Sequence, residues 1–386
     1  MSASVLIAVT HLLGSGHLVR AANLARALAQ GGFAVTLASG GMPLRAMGAE
    51  PFAFVQLPPI KTEGTDFRTL LGEAGAPIAP ERRSARSAML EELAARLRPD
   101  VVIVEHFPFG RRQLAGEFLA LIAAAKAARP ETLVLSSVRD VLVTPRPDRI
   151  AEAEERIAGL FDAVLVHGDA GFLPLDQSWP VGQGLAAKLR YTGYLADDRP
   201  AGAMRENDEV IVSGGGSAAA LPLFACAVAA ARLDRSGRRW RLLAGRGMVE
   251  ADLALLAADA PEKVVIERAR PDFPALLAGC AVSISQAGYN TVLDLVAARR
   301  PAVVVPFDAG NETEQTIRAE AMERAGLARC FRLSCDFLGD AVALADAVGQ
   351  AIGSEPSDTR IDRDGTARSA AIVRELLAGV ADRSRR

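Results

Sequence analysis

The chain has 386 residues, half of them hydrophobic, which excludes a disordered protein and leaves room for two domains. Its 44 basic and 46 acidic side chains nearly cancel to a net charge of −2, so the composition gives no basic footprint for nucleic acid. The N-terminus lacks the basic segment of a signal peptide, and no apolar run approaches the length of a membrane span. We therefore expect a cytoplasmic protein with no transmembrane segment and no nucleic-acid partner.

Short runs rich in Val and Ile alternate with stretches rich in Ala and Leu along the whole chain. Continuous apolar runs are typical of strands covered on both faces, and hence of parallel sheets built from βαβ units. The predicted strands cover residues 5–10, 33–38, 101–105, 132–136 and 163–167, and then 209–213, 241–244, 264–267, 282–285 and 302–306. The predicted fold class is α/β, with two Rossmann-like doubly wound domains that face a cleft.

A polar segment with Pro and Gly, residues 195–208, separates the two series of strands and is typical of an interdomain linker. We predict an N-terminal domain over residues 1–195 and a second domain over 208–360. Residues 361–386 form a tail, with a helix over 366–380 that packs back across the linker.

The first strand leads into "HLLGSGHLVR", and a helix is predicted from about residue 17 to residue 30. Gly14 and Gly16 permit tight backbone geometry at a strand end, where α/β proteins bind ligands. The loop lacks the last glycine of a dinucleotide fingerprint, so it is not predicted to hold a phosphate. It places His17 at the start of the helix, where the dipole disfavours imidazolium. Either His17 is a general base, or it only caps the helix.

Other polar groups follow strand ends of the first half. Glu105 and His106 come directly after a predicted strand, and His11 follows the first one. We predict that they lie on the acceptor side of a site, where Glu105 and His106 orient either the acceptor or His17; purely structural roles stay open. Arg111 and Arg112 are candidates for contacts to an anionic acceptor. The basic cluster at residues 82, 83 and 86 is interpreted as a solvated face, with membrane-surface docking as the alternative.

A run of glycines follows the first strand of the second half. Gly214, Gly215, Gly216 and Ser217 would expose backbone N–H groups at a helix N-terminus, which suits a diphosphate. The spacing also matches G-x-G-x-x-A, so an NADP site is an alternative, with Arg246 near either kind of phosphate. An ordinary glycine turn stays open as well.

The longest polar run of the second half follows two successive predicted strand ends. The first strand end leads through a glycine turn into a helix, and the second leads through Pro306-Phe307 and a polar loop to another helix. The candidate donor-binding side chains here are Gln286, Gly288, Asn290, Thr291, Asp294, Glu314 and Gln315. Carboxylates in such positions accept hydrogen bonds from sugar and ribose hydroxyls.

This run resembles the nucleotide-sugar region of GT-B glycosyltransferases, and most closely the family of the peptidoglycan lipid-linked N-acetylglucosaminyltransferase. The resemblance implies that Asp294 holds the ribose and that Glu314 and Gln315 hold the sugar. The stretch from Gly14 to Arg20 resembles the family's acceptor loop, and residues 214–216 its diphosphate loop. Ala287 stands where the family has Ser, and Glu314 where it has an amide.

The resemblance implies transfer of a sugar from a UDP-sugar to a hydroxyl, without a metal or other cofactor and with inversion. No His, Cys and carboxylate cluster has metal-ligand spacing, so no metal site is predicted. The acceptor stays open between a lipid-linked compound, a small metabolite and a protein, and peripheral membrane contact stays open with it. The alternatives are a nucleotide-sugar hydrolase, an NADP-binding oxidoreductase and a non-catalytic nucleotide-sugar sensor.

Overall fold

The structure is a computed structural model that describes residues 2–12, 14–43, 49–63, 66–196, 207–216, 218–309, 312–334, 336–355 and 357–383. The chain divides into two compact units. The first comprises Met1–Asp197 together with Asp362–Arg386, and the second comprises Asp198–Ile361. Most of the predicted linker at 195–208 lies outside the described residues.

The first unit alternates strands with helices. Its elements before the second unit are β1 (Ser4–Val9), α1 (Gly16–Gln30), β2 (Ala34–Ser39), β3 (Ala53–Gln56), β4 (Lys61–Glu63), β5 (Asp66–Leu71), α2 (Pro80–Leu97), β6 (Val101–Glu105), α3 (Ala115–Ala128), β7 (Leu133–Arg139), α4 (Pro147–Leu160), β8 (Ala163–His167), α5 (Gln183–Lys188) and β9 (Leu189–Tyr191). Seven of these strands form a parallel sheet in the order β3-β2-β1-β6-β7-β8-β9, while β4 and β5 form an antiparallel pair.

The central strand β1 supplies side chains to two cores, one on each face of this sheet. Leu6 and Ala8 pack into a core shared with helices α2 and α3, while Val5 and Ile7 pack into a core shared with α1. Successive side chains of a strand point to opposite faces, so a strand between two helical layers must be apolar throughout. This arrangement explains why β1 has no polar alternation.

The second unit repeats the same architecture. Its elements are β10 (Val210–Ser213), α6 (Leu221–Leu233), β11 (Trp240–Ala244), α7 (Glu250–Ala258), β12 (Val264–Arg268), α8 (Phe273–Gly279), β13 (Val282–Ser285), α9 (Tyr289–Ala298), β14 (Ala302–Val304), α10 (Glu314–Arg324), β15 (Arg329–Cys330) and α11 (Phe337–Ala351). Six strands form a parallel sheet in the order β12-β11-β10-β13-β14-β15. The prediction of an α/β fold with parallel sheets in two domains is therefore confirmed.

A last helix, α12 (Gly365–Arg383), belongs to the first unit. Val373 is fully buried in the core that α1 shares with the sheet. Gly31 ends α1 beneath this helix, and a Cβ there would lie 2.5 Å from the Cβ of Ala370. The chain enters α12 through a backbone hydrogen bond of 2.8 Å from Tyr194 N to the oxygen of Asp362. The C-terminal helix thus covers the helix that carries His17.

The interpretation of the basic cluster in α2 as a solvated face was wrong for Arg86. Arg86 is fully buried and donates to both carboxylate oxygens of Glu117, at 2.8 and 2.6 Å. Arg82 is half-buried and donates to the oxygen of Pro59, whereas Arg83 is exposed. A buried guanidinium with a carboxylate partner anchors α2 to α3 and leaves little charge for a membrane surface.

Candidate functional site

The carboxyl ends of β1 and β6 bring His17 and Glu105 together, as expected for adjacent parallel strands. His17 Nδ1 lies 3.0 Å from each carboxylate oxygen of Glu105. Glu105 is 1% exposed and His17 15% exposed, so the ring lies at the edge of the buried pair. His17 is the second residue of α1 and its side chain bonds across to β6, so it does not cap its own helix.

Arg20, one turn after His17 on α1, completes this cluster. Its Nη2 donates to Oε1 of Glu105 and lies 3.2 Å from His17 Nδ1. An ionised carboxylate can only accept, so Nδ1 of His17 carries the proton that binds Glu105. The other ring nitrogen, Nε2, is then unprotonated and available to accept a proton.

Burial and charge fix the protonation states of this cluster. Burial lowers the pKa of His17 from 6.5 to about 3, with Glu105 raising it and Arg111 and Arg20 lowering it further. Burial raises the pKa of Glu105, but His17 and Arg20 outweigh it and hold that pKa well below its usual range. The ring is therefore neutral, mainly because it is buried, and the carboxylate is ionised at neutral pH.

The loop after β6, residues 105–111, holds the other acceptor-side candidates and is called the β6 loop below. The ring of His106 packs edge-on against His17, with 5.2 Å between centroids. His106 and Arg111 adopt left-handed backbone with φ of 64° and 57°, and a Cβ on Gly110 would collide with the His106 ring. The structure thus brings Glu105 and His106 to His17.

Three further predicted residues flank this cluster at the end of β1. His11 is buried, and burial lowers its pKa, with electrostatic effects from Arg111 and Glu105. Gly14 adopts a φ of 68°, which favours glycine, and Gly16 begins α1. A fourth histidine, His167, is fully buried at the end of β8 between the hydroxyls of Ser137 and Thr192, each 2.9 Å away. Its two ring nitrogens are both engaged, which assigns it to the core.

In the second unit, the loop after β10 needs its glycines. A Cβ on Gly214 would collide with Ala220, and Gly215 has a φ of 65°. A Cβ on Gly216 meets nothing within 4 Å. Ser217 lies outside the described residues. The loop therefore packs closely on one side and leaves the backbone of Gly216 uncovered on the other.

The loop after β13 lies against this glycine loop. Gln286 is buried and its Nε2 donates to the oxygen of Ala219 at 3.1 Å. Gly288 precedes the first residue of α9, and the hydroxyl of Thr291 lies 4.0 Å from the position of a Cβ on Gly215. The glycine loop, which is the candidate diphosphate site, thus lies at the same edge of the sheet as Gln286, Gly288 and Thr291.

The remaining donor candidates occupy the same edge with different exposure. Asn290 is exposed in the first turn of α9, and Asp294 is half-buried on the same helix. Arg246 is exposed in the loop that follows β11. In the same loop, Gly247 N donates a hydrogen bond of 3.1 Å to the oxygen of Gly216. Arg246 therefore lies in a loop that is hydrogen-bonded directly to the glycine loop.

The acid and amide pair at the start of α10 is already engaged. Glu314 is buried and binds Arg318 at 2.9 Å, and Arg318, fully buried, also donates to the oxygen of Ala287 at 2.7 Å. Gln315 accepts a hydrogen bond of 3.1 Å from the backbone N of Phe307. These contacts link α10 to the loops after β13 and β14, which fixes the edge where a sugar is predicted to bind.

Two arginines of this arrangement were not among the predicted site residues, and a third was predicted only as a contact to an anion. Arg20 was detectable from its spacing, because residues three apart on a helix share a face. Arg318 was detectable in the same way from its position four residues after Glu314. The third, Arg111, stood in the sequence only as a candidate for anion contacts, since nothing local shows which elements surround it.

The described residues contain neither a candidate metal site nor a candidate membrane span. No group of three or more His, Cys, Asp or Glu side chains there is arranged to hold a metal ion. None of the helices in the described part of the chain is long and apolar enough to cross a membrane.

Comparison with known proteins identifies the second unit most directly. Residues 209–338 match the glycosyltransferase family 28 C-terminal domain. A 61-residue segment is 39% identical to the UDP-N-acetylglucosamine–N-acetylmuramyl-(pentapeptide) pyrophosphoryl-undecaprenol N-acetylglucosamine transferase of Solibacter usitatus. That alignment covers 16% of this chain and 17% of the relative, so it spans about a sixth of the relative's length.

Solved structures are similar over nearly the whole chain. Acinetobacter baumannii MurG has a TM-score of 0.60 at 17% identity, covering 98% of this chain and 99% of that one. Phytolacca americana UGT2, complexed with UDP-2-fluoro-glucose and pterostilbene, has a TM-score of 0.61 at 13% identity, covering 98% and 95%. At such identities the likeness establishes the fold. The chain thus has the two-domain α/β fold of GT-B glycosyltransferases, and its residues 209–338 are a glycosyltransferase family 28 C-terminal domain.

Proposed function

We propose that this protein transfers a sugar from a UDP-sugar to an acceptor hydroxyl, with His17 as the general base. The observation that carries the proposal is the contact of His17 Nδ1 with Glu105, at 3.0 Å, in a chain whose second unit carries a family 28 domain. Glu105 fixes the ring tautomer and leaves Nε2 to take the proton of the acceptor hydroxyl. It also stabilises the imidazolium that forms, while Arg20 holds Glu105 ionised and in place.

The reaction that fits these groups is a direct displacement at the anomeric carbon. The acceptor oxygen forms a bond to that carbon, its proton passes to His17, and the bond from the carbon to the β-phosphate oxygen breaks. UDP leaves with the bonding electron pair, and a single displacement inverts the anomeric centre. We propose that backbone N–H groups of the glycine loop, residues 214–216, stabilise the leaving diphosphate without a metal.

The second unit supplies the donor site in this proposal. Asp294 accepts hydrogen bonds from ribose hydroxyls, Gln315 and Asn290 contact the sugar, and Arg246 lies near a phosphate. Support comes from the family 28 match, and from a structural relative whose complex contains UDP-2-fluoro-glucose. Because Glu314 is neutralised by Arg318, we propose that its role is to hold the start of α10, with sugar contact secondary.

Two measurements on the intact protein test this function. UDP should raise the melting temperature, and NADPH should not, because ligands that bind only the folded state stabilise it. UDP release from a panel of UDP-sugars is then followed with and without hydroxyl acceptor pools of lipid-linked, small-molecule and protein type. Acceptor-dependent release supports the transferase.

The other outcomes identify the alternatives. Release of UDP and free sugar in equal amounts without any acceptor would indicate a hydrolase that uses water, and not a transferase. Stabilisation by UDP-sugar with no turnover in any pool would indicate a sensor. Stabilisation by NADPH alone would move the protein to the oxidoreductases and overturn the proposal.

A further inference from the structure

Among the described residues, the fully buried arginines are each matched by a carboxylate, whereas half-buried Arg111, beside the candidate base, is not. Arg20 pairs with Glu105, Arg86 with Glu117, and Arg318 with Glu314. The Nε atom of Arg111 is buried too, but it has no hydrogen-bond partner. Among the residues that the structure describes, no carboxylate lies within ion-pair distance of the Arg111 guanidinium. Buried N–H donors are ordinarily paired, so the unpartnered Nε of a guanidinium beside the candidate base makes Arg111 a candidate for binding an anion.

The local charge balance points the same way. Arg111 acts electrostatically on His11, His17 and His106, and it is itself affected by Glu105, Arg139 and Arg20. Burial lowers the pKa of Arg111 to about 10, and Arg139 and Arg20 add to the effect while Glu105 opposes it. Glu105 is already shared by His17 and Arg20. The carboxylate that faces Arg111 is thus already committed to other groups.

The backbone holds Arg111 in this place at a cost. Its φ of 57° and ψ of 27° are left-handed, a conformation that glycine adopts freely and arginine does not. Gly110 before it cannot carry a side chain, because a Cβ there would collide with the His106 ring. The β6 loop therefore fixes the guanidinium next to the residues that surround His17.

We propose that Arg111 binds an anionic group, a phosphate or a carboxylate, on the acceptor. The assignment to the acceptor rests on the proposed function, because Arg111 shares the β6 loop with Glu105, which orients the proposed base. A guanidinium presents paired N–H donors that fit either anion. Acceptors that place such a group near the reacting hydroxyl would be preferred over neutral ones.

The histidines provide a direct test with the intact protein, independent of turnover. The sequence has four, so a ¹H–¹³C spectrum of protein labelled at histidine Cε1 has four signals. Inorganic phosphate and, separately, acetate are titrated as probes. The charge of Arg111 bears on three of these rings but not on His167. Binding should therefore shift the signals of His11, His17 and His106 and leave that of His167 in place, and the stronger probe identifies the preferred anion.

Two variants make the test specific. Arg111→Gly removes the guanidinium and suits the left-handed backbone, so its melting temperature should be unchanged or higher. Its apparent Kd for the better probe should rise roughly 10- to 100-fold. Arg96→Gln removes an exposed arginine of α2 that has no role in the site and should bind the probe like the wild type. The anion site would be overturned if neither probe shifted the three signals, or if the shifts were equal in Arg111→Gly and the wild type.

Kinetics separate this proposal from the function it rests on. With an acceptor pool that supports turnover, Arg111→Gly should raise KM for the acceptor and leave KM for the UDP-sugar unchanged. A loss of UDP affinity instead would assign Arg111 to the donor diphosphate and overturn the acceptor assignment. If the wild type binds phosphate through Arg111 but releases no UDP in any pool, the anion site stands and the transferase fails.

Discussion

The two units present different chemistry at the carboxyl ends of similar parallel sheets. All four histidines of the chain lie in the first unit, where a buried carboxylate and two arginines surround His17. The second unit has no histidine, and its corresponding loops offer glycine backbone, amides and hydroxyls. In the proposed function, one sheet edge serves proton transfer, and the other holds an uncharged sugar and a diphosphate through main-chain donors.

This difference shows how one architecture is divided between two tasks. A base needs neighbours that fix its protonation state, and such neighbours are buried ionisable groups. A diphosphate site needs N–H groups without side chains in the way, which glycine provides. The two units should therefore respond differently to acid, to loss of the base and to added side-chain bulk.

The largest expected difference is in acid stability. The pKa values of all four histidines are lowered, those of His17 and His167 from 6.5 to about 3. As pH falls below 6.5, the unfolded first unit binds protons that the folded unit refuses, so its stability falls. Each fully shifted histidine removes about 1.4 kcal/mol per pH unit, and the combined loss reaches several kcal/mol. In the second unit, where the pKa of Asp234 is lowered from 3.8, the loss should begin near that value.

The two tryptophans report the units separately, since buried Trp179 lies in the first and buried Trp240 in the second. Denaturant titrations of Trp240→Phe follow the first unit by its fluorescence, and those of Trp179→Phe follow the second. Between pH 6.5 and 5 the midpoint should fall for the Trp179 signal and stay nearly constant for Trp240. Equal shifts of both signals, or none, would contradict the assigned protonation states.

Removal of the base gives the next largest effect. His17→Ala should lower turnover by roughly 10²- to 10⁴-fold while leaving UDP affinity unchanged. His17→Asn is the matched variant, because its amide keeps an N–H donor for Glu105 but accepts no proton at neutral pH. The two variants should lose turnover alike, as measured by UDP release with an active acceptor pool. Recovery of activity in His17→Asn would mean that His17 only holds Glu105 in place.

Much of this comparison was predictable from the sequence where the signals are local. The apolar runs predicted ten strands of the two sheets. The sequence also predicted a helix after the glycine turn, and α9 begins there, at Tyr289. Strands β3, β9 and β15 were missed, because AFVQ, LRY and RC are too short to show a pattern. Such strands exist because a neighbouring strand pairs with them, and pairing partners are distant in sequence.

Buried charge was the other limit. Three arginines close together in sequence ordinarily indicate a solvated face, yet the partner of Arg86 is Glu117 on the next helix. The contact between Arg20 and Glu105 joins residues 85 positions apart in the sequence. A single sequence gives the charge of each residue but not which opposite charge the fold brings to it, so such pairs required the structure.

Asp294 tests the donor side of the comparison. Asp294→Ala should weaken UDP binding by about 1.5–3 kcal/mol, through loss of charge-assisted hydrogen bonds to the ribose. Turnover at saturating UDP-sugar should change little, because the base lies in the other unit. Asp346→Ala, which removes an exposed helical aspartate from the same unit, is the control. Calorimetry that shows equal UDP affinity in both variants would remove Asp294 from the site.

The smallest change tests the glycine loop itself. A Cβ on Gly216 meets nothing within 4 Å, and its backbone is not left-handed, so Gly216→Ala should keep or slightly raise the melting temperature. If a diphosphate lies on this loop, the same methyl group stands in its way, and the Kd for UDP should rise about tenfold. Gly349→Ala, equally open and within α11, provides the matched control, with a similar effect on melting and none on UDP. An unchanged Kd in Gly216→Ala would mean that the diphosphate does not lie against Gly216.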